Sequence, residues 1–142
     1  MEEIKYDVYM DKECIPLCDA LNQLPGVKTF ESCCGHLQRR YAIWLYTANP
    51  YSMAVIARAF DKRYVPTSIM WDVKIETIDI ERTPQFCIGI YSSDIFHDYE
   101  MMMKDVKELV ESIEYWKQPE FYDHFKFELY NNVRYDEESK EL

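Results

Sequence analysis

Apolar residues recur at two different periods along the chain, and these periods predict alternating strands and helices. Alternating apolar and polar residues predict an opening strand from Ile4 to Met10. Helical spacing of leucines and cysteines predicts a helix over Asp11–Leu24, with regular turns from about Cys14, because Pro16 suits a first turn. Pro25-Gly26 then ends this helix and turns the chain.

Two short β-prone runs follow this helix. The same order of elements then begins again with a helix that is capped by Asn49 and has Pro50 at its first position. Two further strands and a long amphipathic helix complete the pattern. A slip in the apolar alternation predicts a bulge near Thr77. The predicted strands are Val27–Ser32, Tyr41–Thr47, Trp71–Ile80 and Phe86–Tyr91, and the long helix is Ile95–Lys117.

Together these elements predict an α+β fold. Its sheet is mainly antiparallel, its helices pack on one face, and a helix–strand–strand unit occurs twice. Residues 1–135 are expected to form a single domain, because no linker composition divides them. Residues 120–135 fit a short helix better than a strand, and the charged tail 136–142 is expected to be frayed.

Composition narrows the range of functions. The 142 residues are 48% hydrophobic and 30% charged, as in a packed globular domain. Only three glycines occur, which excludes a Gly-rich phosphate loop of the Walker or dinucleotide type. A net charge of −10 repels phosphate backbones, so bulk nucleic acid is not an expected partner.

The cysteines and the hydropathy pattern indicate a cytoplasmic protein. Five cysteines is an odd number, which suits reduced thiols better than a disulfide framework. We find no signal peptide and no apolar run long enough for a bilayer, so no membrane association is expected.

The stretch Thr29–Arg40 carries the candidate chemistry, because it places thiols, an imidazole, two guanidiniums and a glycine directly after a strand. The leading interpretation is an anion site, in which loop amides and basic side chains hold a phosphate or carboxylate group. The expected ligand-binding residues are Ser32, Cys34, Gly35, His36, Arg39 and Arg40.

Other interpretations of this loop stay open. His36 could activate Cys33 or Cys34 as a thiolate nucleophile, which makes Cys33 and His36 the candidate catalytic residues. Metal binding by these groups, completed by Cys14 and Cys18, is a weaker alternative, because that helical pair faces the core. The loop could also be a plain turn with a solvent-facing histidine.

The segment Thr29-x-x-Ser32-Cys33-Cys34-Gly35-His36 resembles the Ser-Cys-x-Gly-Arg signature of the wybutosine-synthesising Tyw3 family. It is also similar to the Cys-Cys-Gly-His stretch of small uncharacterised phage and bacterial proteins. The Tyw3 family methylates a tRNA-hypermodification intermediate with S-adenosylmethionine, and its duplicated helix–strand–strand arrangement suits the units described above. The resemblance therefore implies a fold and a site location, although His36 stands where that family has arginine.

Three functions remain as hypotheses. The first is a small protein that binds an anionic small molecule or nucleotide at the Ser32–Arg40 loop. The second is a Tyw3-like nucleic-acid-modifying or thiol-dependent enzyme. The third is an acidic, tyrosine-rich protein of phage type that inhibits a protein partner through its aromatic surface.

Overall fold

The computed structural model describes residues 10–121, which form three α-helices and a four-stranded sheet. Single turns of 3-10 helix at Lys12–Cys14 and Gly35–Leu37 precede α1 and β2. Helix–strand–strand occurs twice before the last helix, which confirms the predicted α+β class. In chain order, the elements are α1 (Ile15–Asn22), β1 (Lys28–Cys33), β2 (Arg40–Tyr46), α2 (Pro50–Ala59), β3 (Trp71–Ile80), β4 (Thr83–Ile95) and α3 (Tyr99–Trp116).

Some of the sequence predictions concern residues outside this range. The predicted opening strand lies outside the described residues except for its last residue, Met10. The predicted short helix within 120–135 lies outside them beyond residue 121, and so does the tail 136–142.

The sheet consists of two antiparallel hairpins joined through their second strands, in the order β1-β2-β4-β3. The predicted bulge near Thr77 is wrong, because β3 and β4 pair without interruption from Trp71–Ser92 to Ile80–Thr83. Isoleucines 78 and 80 therefore lie on the sheet face opposite Val73, and the slip in apolar pattern has no counterpart in the backbone. Register shifts occur instead between Thr29 and Glu31 and between Arg40 and Ala42.

The hydrophobic core lies between one face of the sheet and the helices. Alternate residues of β2 and β4 point into it, as the two-residue period of a strand requires. Helices α1 and α2 each pack against α3, and α1 also packs on β1. The fully buried strand and helix side chains include Tyr41, Ile43, Leu45, Ile90, Leu17, Leu21, Ile56, Leu109 and Ile113.

Side-chain caps define where two of the helices begin. The Asn49 side chain accepts hydrogen bonds from the amides of Tyr51 and Ser52, which confirms the predicted cap of α2. The Asp98 side chain accepts from the amide of Met101, so α3 begins four residues later than the apolar spacing predicted. Within the described residues, no helix is both long enough and apolar enough to cross a membrane.

Candidate functional site

The loop between β1 and β2 has an unusual backbone that depends on a glycine. Gly35, His36 and Leu37 have φ values of +81°, +52° and +60°, so three consecutive residues are left-handed. A Cβ at Gly35 would lie 3.0 Å from the Arg40 carbonyl oxygen, which leaves no room for a side chain. Left-handed conformation in the two residues after it costs about 1–2 kcal/mol each, and strain of this kind concentrates at functional sites.

The two adjacent cysteines have different environments. Cys34 is only 4% exposed and belongs to the hydrophobic core. Burial raises the pKa of its thiol to about 11, which makes Cys34 a poor nucleophile near neutral pH. Cys33 is less buried, and its Sγ accepts a 3.4 Å hydrogen bond from the amide of Gly35. The exposed side of the loop therefore presents Cys33.

A carboxylate from the start of the first helical segment joins this loop. Asp11 precedes the 3-10 turn, but its side chain makes no capping bond there. Its Oδ2 instead accepts a 2.9 Å hydrogen bond from the amide of Cys34. The same oxygen lies 3.5 Å from Nε2 of His36, and the Asp11 side chain is only 20% exposed. This contact places an anionic group where the sequence predicted a positive hollow.

His36 lies between the acid and the buried thiol. Its Nε2 faces Asp11, and its Nδ1 lies 3.7 Å from Sγ of Cys34. The imidazole is 66% exposed, so one side of it remains open to solvent.

One donor atom from each of Asp11, Cys33 and His36 lies within 4.8 Å of the other two. A carboxylate, a thiol and an imidazole are all common ligands of transition metals. The loop therefore brings together the two candidate catalytic residues and adds an acid that sequence reasoning did not connect to them.

The loop amides are largely used within the protein. The amide of Cys34 donates to Asp11 and that of Gly35 to Cys33, while those of Gln38 and Arg39 both donate to the Gly35 carbonyl. Four backbone donors that could have held an anion are therefore already paired, so these amides do not form an anion-binding nest.

The basic residues and Ser32 do not converge on this site. Arg40 donates to the Ser92 carbonyl at 2.6 Å and pairs with Asp72 at 3.0 Å, on the sheet rather than in the loop. Arg39 is exposed. Ser32 is half-buried and lies near the buried thiols of Cys14 and Cys18, whose pKa values it lowers.

Cys14 and Cys18 are fully buried in the core. Burial raises the pKa of Cys14 to about 12 and that of Cys18 to about 11, while the hydrogen bonds from Ser32 oppose this. These protonated thiols pack as small apolar side chains, as their place on the helix stripe predicted.

Sequence reasoning also missed a polar network on the sheet face opposite the helices. The indole of Trp44 donates to the Tyr91 hydroxyl at 2.9 Å, and that hydroxyl donates to Glu76 at 2.5 Å. Gly89 makes room for the ring, because a Cβ there would lie 2.7 Å from Tyr91 Cε2. The alternation that puts Ile88 and Ile90 in the core also puts Tyr91 on the opposite face, so the sequence pattern could have predicted the position of Tyr91.

Comparison with protein-family models, curated proteins and solved structures finds no match to this chain.

Proposed function

We propose that the protein binds a divalent transition-metal ion of the zinc class through Asp11, Cys33 and His36. The observation that carries the proposal is the 3.5 Å separation of Asp11 Oδ2 and His36 Nε2. Two oxygen or nitrogen ligands at about 2.1 Å from one tetrahedral zinc ion are about 3.4 Å apart. The acid and the imidazole thus already have the spacing of two ligands of one ion, and the Cys33 sulfur needs a shift of about 1 Å to join them.

The donor types support zinc over harder cations. Calcium and magnesium prefer all-oxygen surroundings, whereas a thiolate with an imidazole selects zinc, cobalt and related ions. A carboxylate and a thiolate also balance the two positive charges of the ion, so the bound site would carry no net charge.

Cys34 has a supporting role in this proposal. With the Nδ1 proton directed to the Cys34 sulfur, the lone pair of His36 is on Nε2, the nitrogen that faces Asp11. The buried thiol therefore orients the imidazole, while the neighbouring Cys33 binds the ion.

Three protein ligands leave a fourth position open to solvent on the exposed side of His36. Zinc sites with three protein ligands and an exchangeable fourth are typically catalytic, and those with four are structural. A small anionic ligand would coordinate the ion at this position. The anionic-ligand hypothesis is therefore kept, but the metal ion and not the loop amides would bind the ligand.

The direct test is cobalt titration of the reduced protein after treatment with a chelator. We expect thiolate-to-cobalt charge transfer in the near ultraviolet, visible bands of tetrahedral intensity, and displacement by one equivalent of zinc. Cys33→Ser should abolish the charge-transfer band. Asp11→Asn and His36→Gln should each weaken zinc binding by more than the roughly 10–100-fold typical of supporting residues.

Matched controls separate this site from adventitious binding. His97 is exposed and Cys87 is buried, and neither is among the three grouped metal-ligand residues. His97→Gln and Cys87→Ser should therefore leave the cobalt spectrum unchanged. A spectrum without thiolate charge transfer, or equal zinc affinity in the wild type and in Cys33→Ser, refutes the proposal.

A further inference from the structure

An apolar groove lies between α2 and the edge strand β3. Its volume is about 970 Å³. Its floor is formed by Val73, Ile75 and Ile88, and its wall by Met53 and Ala57 of α2. None of the three residues Asp11, Cys33 and His36 lines it, so an inference about the groove is independent of the metal proposal.

The groove exposes several large apolar side chains. Ile75 is 71% exposed although it lies on the same sheet face as the core residue Trp71. Met53, Met70 and Val73 are also exposed around it. A contiguous apolar surface of this kind marks a binding site, and its volume is within the range of small-molecule pockets.

The charges around the groove differ from those of the whole chain. Its lining has three basic residues and one acidic residue, whereas the chain has 16 basic and 26 acidic residues. Asp61 is neutralised by Arg63 through a two-pronged contact of 3.1 and 2.7 Å. The Lys74 ammonium lies toward the Tyr91 ring on the other face, so among residues 10–121 Lys62 is the lining cation without an acidic or aromatic partner.

We infer that this groove binds an anionic amphiphile with a single acyl chain, such as a fatty acid carboxylate. The apolar floor and wall suit the chain, and the Lys62 ammonium, in the segment after α2, suits the carboxylate. Opposite charge at the rim of an otherwise acidic protein favours an anionic head over a neutral or cationic one.

The test is displacement of a dansylated fatty acid from the full chain, with competitors kept below their micelle concentrations. Octanoate, decanoate and dodecanoate should compete with affinities that rise about fourfold per added methylene. Dodecanol should bind at least about tenfold more weakly than dodecanoate, and dodecyltrimethylammonium more weakly still.

Two variants test where the fatty acid binds. Ala57→Trp fills the groove from an exposed helix position, so it should reduce dodecanoate binding by more than tenfold without unfolding the protein. Lys62→Glu should weaken dodecanoate but not dodecanol. Lys107 is exposed on α3 and does not line the groove, so Lys107→Trp and Lys107→Glu are the matched controls and should change neither affinity.

Other occupants give different results. Equal affinity for the carboxylate, the alcohol and the alkylammonium ion would overturn the inference, and so would unchanged binding in Ala57→Trp. Concentration-dependent dimers in sedimentation that Ala57→Trp abolishes, without fatty acid binding, would assign the groove to a second copy of the chain and also overturn it.

Discussion

The carboxylate of Asp11 accepts a 2.9 Å hydrogen bond from the amide of Cys34, a residue 23 positions further along the chain. This bond connects the segment before α1 to the loop after β1. It also sets the electrostatics of the loop, because it brings a negative charge within 3.5 Å of His36.

Gly35→Ala is expected to destabilise the loop and remove metal binding. The new Cβ would meet the Arg40 carbonyl at 3.0 Å, and the residue would be held at φ +81°. Gly26→Ala is the matched control, since its φ is +69° but its Cβ would meet the nearest atom, Asn49 Cβ, at 3.4 Å. We expect a loss of about 1–2 kcal/mol in unfolding free energy for Gly26→Ala and a larger loss for Gly35→Ala. Urea denaturation measures both.

The result that would contradict this prediction is equal destabilisation by the two substitutions with zinc affinity retained in both. Such an outcome would mean that the left-handed turn accommodates a side chain and that its shape does not matter for the site.

We expect substitutions of the adjacent residues Cys33 and Cys34 to have different effects. Cys33→Ser removes a ligand, so the cobalt charge-transfer band should vanish while the fold is retained. Cys34→Ser keeps the band but loosens the imidazole, so zinc affinity should fall about 10–100-fold. Because Cys34 is 4% exposed, its substitution should also lower the melting temperature, whereas that of the more exposed Cys33 should not. Loss of the band in both variants would contradict the division of roles.

The buried thiols should make the protein sensitive to alkali. The pKa of Cys14 is raised from 9.0 to about 12 by burial, and that of Cys18 to about 11. A raised pKa in the folded state means that stability is fully present below pH 9 and is lost as pH rises toward 12. Each such group contributes a slope of up to about 1.4 kcal/mol per pH unit within its window.

Urea denaturation of wild type and Cys14→Ala between pH 8 and pH 11 checks this prediction, with the variants compared by slope rather than by absolute stability. The variant should show the shallower decline. In native alkylation followed by mass spectrometry, Cys33 should react first and Cys14 and Cys18 last. Rapid labelling of Cys14 at neutral pH would contradict the burial argument.

Local patterns predicted the elements of this fold well, because apolar spacing decides which face each segment buries. The α2 cap at Asn49 follows from a short-range rule and is confirmed. Helix α3 begins later than predicted because the cap at Asp98, and not the apolar spacing, sets its first turn. The predicted bulge near Thr77 was wrong because Ile78 and Ile80 lie on the opposite sheet face and the register does not shift.

The candidate site was located from sequence only in part. Cys33, Gly35 and His36 are neighbours in the chain, so their proximity is local and predictable. The approach of Asp11 depends on how the segment before α1 meets the end of β1, and the departure of Arg40 toward Asp72 depends on the pairing of distant strands. Contacts of this kind follow from tertiary structure, and residue spacing does not encode them.

The sheet face opposite the helices permits one further prediction. Burial and the hydrogen bond to Glu76 raise the pKa of the Tyr91 phenol to about 12, while the hydrogen bond from Trp44 partly offsets them. Glu76→Gln removes the negative charge that disfavours ionisation, so the Tyr91 pKa should fall toward 10. Ring-labelled tyrosine carbon NMR across alkaline pH, with Tyr91→Phe for assignment, measures the shift. Trp44→Phe should move the pKa in the opposite direction, because it removes the donor that stabilises the phenolate. A Tyr91 pKa that is the same in the wild type, Glu76→Gln and Trp44→Phe would mean that desolvation alone sets it and that the network has no electrostatic role.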